Sequence, residues 1–247
     1  MRSTRSIPEP VRVARLNAIR KALTWVKDAD IVGIGTGSTM AQFVDVAHEA
    51  GVLEGKLIVT SSLDTTLRLR NLGYRVADLV SIERIDVYVD SADEVDEQGR
   101  MIKGGGGALL QEKILATYSD VAVFVVDNAK LVSRLGERWP VPVEVVPRAV
   151  SMVLRALRDL GFEARIREGS GKKGPVITDN FGAIIDVEIP EWIDPAEMDS
   201  ILHSIVGVVE TGLFLKEATL VYVGCPDGRV TEVEGPRRLN TEKRSSR

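Results

Sequence analysis

Ile31-Val32-Gly33-Ile34-Gly35-Thr36-Gly37-Ser38-Thr39 runs from a short apolar stretch straight into a glycine- and hydroxyl-rich turn. Met40, Phe43, Val44 and Ala47 follow at helical spacing, so the segment reads as strand, tight loop and helix. Upstream, Val13, Leu16, Ile19, Leu23 and Val26 recur every three or four residues, which predicts an amphipathic helix over about 10–27. Downstream, apolar runs at 57–59, 75–77, 85–89 and 121–126 alternate with helical patterns over 65–72 and 108–118. Such alternation predicts an α/β domain whose mainly parallel sheet is covered by helices.

The rhythm changes after Trp139-Pro140-Val141-Pro142. Strand-like 143–146, a helix over 148–160 and strand-like 162–167 lead to a Gly/Lys-rich turn at 169–175. Strand-like 184–189, a helix opening near Asp194-Pro195 and strand-like 208–214 then repeat the order. Two βαβ halves predict a small ferredoxin-like domain. The apolar run 219–223 can rejoin the main sheet, which makes the small domain an insertion. The expected division is therefore 1–138 with 216–235 for the large domain, 139–215 for a small lid or oligomerisation domain, and 236–247 for a solvated, disordered tail.

Hydrophobic residues are 44% and charged residues 28% of the 247, with a formal net charge of −4. That balance gives no electrostatic footprint for nucleic acid. No apolar run approaches the roughly 20 residues that span a bilayer, and the first ten residues lack the core of a signal peptide. A cytoplasmic protein without membrane or nucleic-acid partners is the expectation. Cys225 is the only cysteine, and His48 and His203 are the only histidines. One chain thus cannot build a Cys/His zinc site, and a general base is to be sought among carboxylates.

Three segments carry candidate chemistry. The turn Gly35-Thr36-Gly37-Ser38-Thr39 puts backbone N–H groups and hydroxyls at a helix N-terminus, a natural anion site, although the same residues serve equally as a tight turn with a cap. It matches the dinucleotide fingerprint only loosely, because Ser38 stands where the third glycine is expected. Val87-Tyr88-Val89-Asp90-Ser91-Ala92-Asp93-Glu94 drives an apolar strand into carboxylates, where ligands of parallel sheets gather. Asp90 and Asp93 can accept hydrogen bonds from sugar hydroxyls, hold a divalent metal, or simply form a solvated acidic loop. Lys103-Gly104-Gly105-Gly106-Gly107 costs more conformational entropy than a packed segment warrants, unless something needs bare backbone. A strong helix former, Ala108-Leu109-Leu110-Gln111-Glu112, follows at once and offers a carboxylate about one turn in.

Together and in this order, GIGTGST, VDSADE and KGGGGALLQEK resemble the signature set of the ribose-5-phosphate isomerase A family. The likeness continues through Asp127-Asn128-Ala129-Lys130, Ile177-Thr178-Asp179-Asn180 and Gly207-Val208-Val209-Glu210-Thr211-Gly212, and spans nearly all of 31–230. The resemblance implies a Rossmann-like domain with an inserted ferredoxin-like lid, assembled as a homodimer or homotetramer. It implies a cofactor-free and metal-free interconversion of ribose 5-phosphate and ribulose 5-phosphate through a cis-enediol or enediolate. By that likeness Glu112 is the base, and Asp90, Asp93 and Lys103 bind the sugar and assist ring opening. Thr36, Gly37, Ser38, Thr39, Ser91, Ala92, Gly104, Gly105, Gly106 and Lys130 complete the substrate site. The chain departs from the commoner pattern in its fourth glycine, Gly107, expected to loosen the loop. It also carries Arg15 where some members use a phosphate-binding lysine.

Two other readings predict different observations. A sugar-phosphate-sensing domain of a regulator needs a helix-turn-helix, yet the stretch before the first strand reads as one helix. A nucleotide enzyme with Mg²⁺ on Asp90 and Asp93 would be sensitive to chelation and would leave the tetraglycine loop unexplained.

Overall fold

The computed structural model describes residues 7–169 and 173–239. The first part of the chain forms α1 (Glu9–Lys27), β1 (Ile31–Ile34), α2 (Ser38–Glu49), β2 (Leu57–Thr60), α3 (Leu63–Asn71), β3 (Ile85–Asp90), β4 (Glu94–Val95), β5 (Met101–Ile102), α4 (Leu109–Tyr118) and β6 (Ser119–Asp127). The middle forms β7 (Val141–Val145), α5 (Val150–Asp159), β8 (Ala164–Ile166), β9 (Ala183–Val187), α6 (Pro195–Ser204) and β10 (Val208–Thr211). The chain closes with β11 (Leu213–Phe214), β12 (Leu220–Gly224) and β13 (Val230–Glu234).

The main sheet has the order β13-β12-β6-β3-β1-β2, parallel throughout except for β13 at its edge. Both faces of the inner strands are buried, which is why they read as nearly unbroken apolar runs, whereas the edge strand β13 is largely exposed and alternates with polar residues. Val87, Val89, Val121, Val123 and Val125 face the core under α1 and α2. Tyr88, Ala122, Phe124 and Val126, one residue out of step, join Leu115 and Ala116 of α4 on the other face. Helix α1 approaches closely because it turns Ala14, Ala18 and Ala22 inward, all fully buried. At Gly224 the strand backbone lies so near that a Cβ would stand 1.9 Å from the Ala14 carbonyl oxygen.

Strand β1 lies between β2 and β3, so the chain leaves it toward one side of the sheet and later continues on the other. The carboxyl ends of β1 and β3 at that reversal are where an open α/β sheet forms its crevice. The inserted segment builds a separate antiparallel sheet ordered β10-β7-β9-β8. Numbered within the segment, that is 4-1-3-2 with a helix in each half, the ferredoxin-like arrangement that the two βαβ patterns predict. Its core is Val141, Val143, Val145, Val153, Leu157, Ile185, Val187, Met198 and Leu202.

Three details differ from the sequence expectation. The run at 75–77 is not a strand; Val76 makes one isolated bridge to Ile58. The single strand expected over 208–214 is two, because the chain changes sheets at Gly212. There the Gly212 N–H donates to the Pro142 carbonyl, the Lys103 N–H donates to the Gly212 carbonyl, and a Cβ would meet the Lys103 oxygen at 2.2 Å. The resulting small sheet, β11-β5-β4, consists of two-residue strands too short to carry a periodic signal. Residues 236–239, expected to begin a loose tail, are anchored: the Arg237 N–H donates to the Ala218 carbonyl, and Leu239 packs on the main core. The remainder of that tail, 240–247, and residues 170–172 of the Gly/Lys-rich turn lie outside the described residues.

Candidate active site

Each loop of the crevice starts at a strand end. The N–H of Gly35 donates to the Val89 carbonyl, stitching the end of β1 to the end of β3. Gly35 has to lack a side chain, since a Cβ would fall 1.9 Å from Asp90 Oδ1. Gly37, at φ 98°, ends the turn and stands as the N-cap of α2, so the positive end of that helix opens on the cleft. Ser62 Oγ donates to Thr36 Oγ1 at 2.8 Å. Arg15 reaches in from α1, donating through Nη1 to Ser38 Oγ at 3.0 Å and pairing through Nε with Asp127 Oδ2 at 3.0 Å.

The acidic and glycine-rich loops are joined by the β4-β5 hairpin, in which Glu94 pairs with Ile102. The Asp93 N–H donates to the Ile102 carbonyl, which brings Asp93 and Lys103 to the same mouth. Gly105 donates its N–H to Asp93 Oδ2 at 2.8 Å, and a Cβ there would meet Asp93 Oδ1 at 2.9 Å. Gly104 and Gly107 take φ of 100° and 82°, and the Gly107 N–H closes a turn onto the Gly104 carbonyl. The fourth glycine therefore fills a left-handed position that a side chain strains.

The cleft is lined by Arg15, Thr36, Gly37, Ser38, Thr39, Ser91, Ala92, Asp93, Lys103, Gly104, Gly105, Gly106, Glu112 and Lys130. That set contains the sequence candidates with one exception. Asp90 is fully buried behind the wall and does not line it. Its Oδ2 accepts from Tyr88 Oη at 2.5 Å and contacts Lys103 Nζ at 2.7 Å, while Oδ1 accepts from the Ser91 N–H at 2.8 Å. Lys103, 3% exposed, also donates to the Ser91 carbonyl at 2.5 Å and stands 3.4 Å from Glu112 Oε2. That glutamate oxygen has no hydrogen bond among the described residues. Gln111 and Lys113, on either side of Glu112, are tied to the inserted unit by 2.7 Å contacts with Asn180 and Glu210.

Burial raises the Glu112 pKa, the Lys103 cation opposes that rise, and the charges of Asp90 and Asp93 add to it; the balance is a carboxyl pushed up to about 8. Lys103 is held above its ordinary value. Its burial disfavours the cation, but Asp90 and then Glu112 outweigh that cost. Burial, and next the Asp90 charge, push the Tyr88 phenol well above its usual range, so it remains a donor to Asp90. Sequence reasoning assigned no role to Tyr88, Ser62 or Asp127. Ser62 and Asp127 bond the cleft residues Thr36 and Arg15, and Tyr88 holds Asp90 behind the wall.

An α/β scaffold with a strand-end crevice, a helix N-terminus for an anion and a buried, proton-avid carboxylate beside a cation defines an enzyme built for proton transfer on a small anionic substrate. The family model for ribose 5-phosphate isomerase A (phosphoriboisomerase A) matches residues 57–228. The chain belongs to that family. The ribose-5-phosphate isomerase A of Aeropyrum pernix is 46% identical over 195 residues, which cover 78% of this chain and 82% of that protein. That of Thermosynechococcus vestitus is 41% identical over 208 residues, 83% and 88% of the two chains. Among solved structures, a D-ribose-5-phosphate isomerase in complex with phospho-erythronic acid superposes with a TM-score of 0.85 at 37% identity, over 91% of this chain and 99% of that one. The isomerase of Methanocaldococcus jannaschii gives 0.83 at 38% identity, over 90% and 98%. Among the described residues no helix is long and apolar enough to cross a membrane.

Proposed function

We propose that the chain interconverts ribose 5-phosphate and ribulose 5-phosphate by carrying one proton on Glu112. The observation that carries this reading is the buried Glu112 carboxylate, raised to about 8 and facing the cleft 3.4 Å from Lys103. Ionised Glu112 takes the proton from C2 of the open aldose and returns it to C1, while the O2 hydroxyl proton passes to O1. Between those steps an enediol or enediolate forms. Lys103 and the N–H groups of the glycine loop stabilise its developing oxyanion. The phosphate sits at the start of α2, with Ser38, Thr39, Lys130 and Arg15 around it. Asp93 assists ring opening, since it lines the cleft and Asp90 does not. Asp90 holds Lys103 charged and in place.

Because the ionised form is the base, kcat/KM is expected to rise with pH and to level off above about 8. Conversion of ribose 5-phosphate to ribulose 5-phosphate, followed in chelator from pH 6 to 9, tests both points. Absence of turnover sinks the assignment, and a flat profile sinks Glu112 as the titrating base. Assembly as a cytoplasmic homodimer or homotetramer, without nucleic-acid or membrane partners, is part of the proposal. Light scattering behind a sizing column tests its oligomeric clause, and a monomer removes it.

A further inference from the structure

The glycine loop is held from outside by the inserted unit. Arg167, just past β8, donates through Nη1 to the Gly104 carbonyl at 2.6 Å and to the Gly105 carbonyl at 3.2 Å. Asp186 of β9 braces the guanidinium with both carboxylate oxygens, accepting from Nε at 3.1 Å and from Nη2. The pair is largely buried, at 15% and 9% side-chain exposure. A trans peptide points its C=O and N–H in opposite directions, so fixing a carbonyl fixes the next amide. With the Gly104 carbonyl turned to Arg167, the Gly105 N–H is turned to Asp93, as its 2.8 Å bond shows. With the Gly105 carbonyl turned the same way, the Gly106 N–H points away from Arg167. Gly106 lines the cleft, and its N–H meets no acceptor among the described residues.

We propose that Arg167, braced by Asp186, is a positioning residue that locks the two glycine carbonyls outward so that the loop amides face Asp93 and the reacting oxygen. Without it, four successive glycines would sample many conformations, and the donors would be in place only part of the time. Arg167 does not line the cleft, so it acts through the loop. The kinetic part of this inference rests on the isomerase reading above; the structural part does not.

The test combines kinetics with hydrogen–deuterium exchange in Arg167→Met, Arg167→Lys and the double variant Arg167→Met/Asp186→Leu. The double variant leaves no unpaired buried carboxylate, and replacing a buried ion pair by apolar residues is commonly tolerated. In Arg167→Met the Gly105 and Gly107 amides are expected to exchange at least about tenfold faster while peptides of α1 and the main sheet are unchanged. In the same variant kcat falls about ten- to a hundredfold with KM within about threefold, the pattern of misplaced groups rather than lost binding. The double variant reproduces the loss, and Arg167→Lys, able to reach one carbonyl, falls between. Unchanged exchange in the loop overturns the proposal whatever the turnover. Faster exchange with undiminished kcat also overturns it. A wild-type protein that does not isomerise the sugar phosphate fails the earlier reading, and exchange alone then decides on Arg167.

Discussion

Glu112→Gln is expected to lower kcat/KM for ribose 5-phosphate by at least about 10²-fold, the lower range for removing a general base. The amide keeps the size of the side chain but cannot take a proton, so the loss should fall in kcat. The same variant provides its own control for folding. Glu112 binds its proton more tightly in the folded protein, so its contribution to stability is fully present below about 4.5 and is lost as pH rises through about 8. A glutamine needs no proton and is free of that loss. Above pH 8 the variant should therefore melt no lower than the wild type, relative to their difference at pH 5. Retained activity would move the base elsewhere, and lowered melting at all pH values would turn the activity loss into a folding defect.

Lys103→Met is expected to be the most damaging single change to stability. The lysine offsets two buried carboxylates, Asp90 at 2.7 Å and Glu112 at 3.4 Å, and lies 5.4 Å from the centre of the Phe214 ring. Removing one member of a buried ionic cluster typically costs about 3–5 kcal/mol. At roughly 2–4 °C per kcal/mol for a chain of this size, thermal denaturation should shift down by about 6–20 °C. Part of the cost is relieved if Glu112 retains its proton, and that relief has a kinetic signature. With the neighbouring cation gone the Glu112 carboxyl rises further, so the ascending limb of the pH–kcat/KM profile should move to higher pH. A Lys103→Met protein as stable as wild type, with an unmoved limb, would mean that the cation does not control Glu112.

The two experiments bear on different parts of one arrangement. Glu112 is proton-avid because α4 and the surrounding loops bury it, and it remains ionisable because Lys103 stands beside it. The inserted unit contributes to both conditions. Asn180 and Glu210 hold the residues flanking Glu112, and Gly212, where the chain leaves that unit, accepts the Lys103 N–H. The contacts of the small unit thus reach the side chains on either side of Glu112.

By itself the sequence determined the fold and the chemical inventory. Runs such as 121–126 are apolar at every position because both faces of a parallel strand are covered, and the 31–39 stretch announces strand, turn and helix in nine residues. The three signature segments supplied the lining residues of the cleft other than Arg15 and Lys130, because loops at strand ends are contiguous in sequence and carry unusual composition. The tertiary structure decided which of those groups face the cleft. Asp90 and Asp93 are three residues apart and chemically alike, yet one is buried against Tyr88 and Lys103 while the other opens on the cleft. Their difference arises from the pleat of β3 and the hairpin that follows it. Nor could sequence pair Arg167 with Gly104, or Arg15 with Asp127, because hydrogen bonds between residues 63 and 112 positions apart leave no local pattern. The raised proton affinity of Glu112 belongs to the same class: it depends on burial and on the charges of Lys103, Asp90 and Asp93, brought to it from two other segments, which only the folded chain provides.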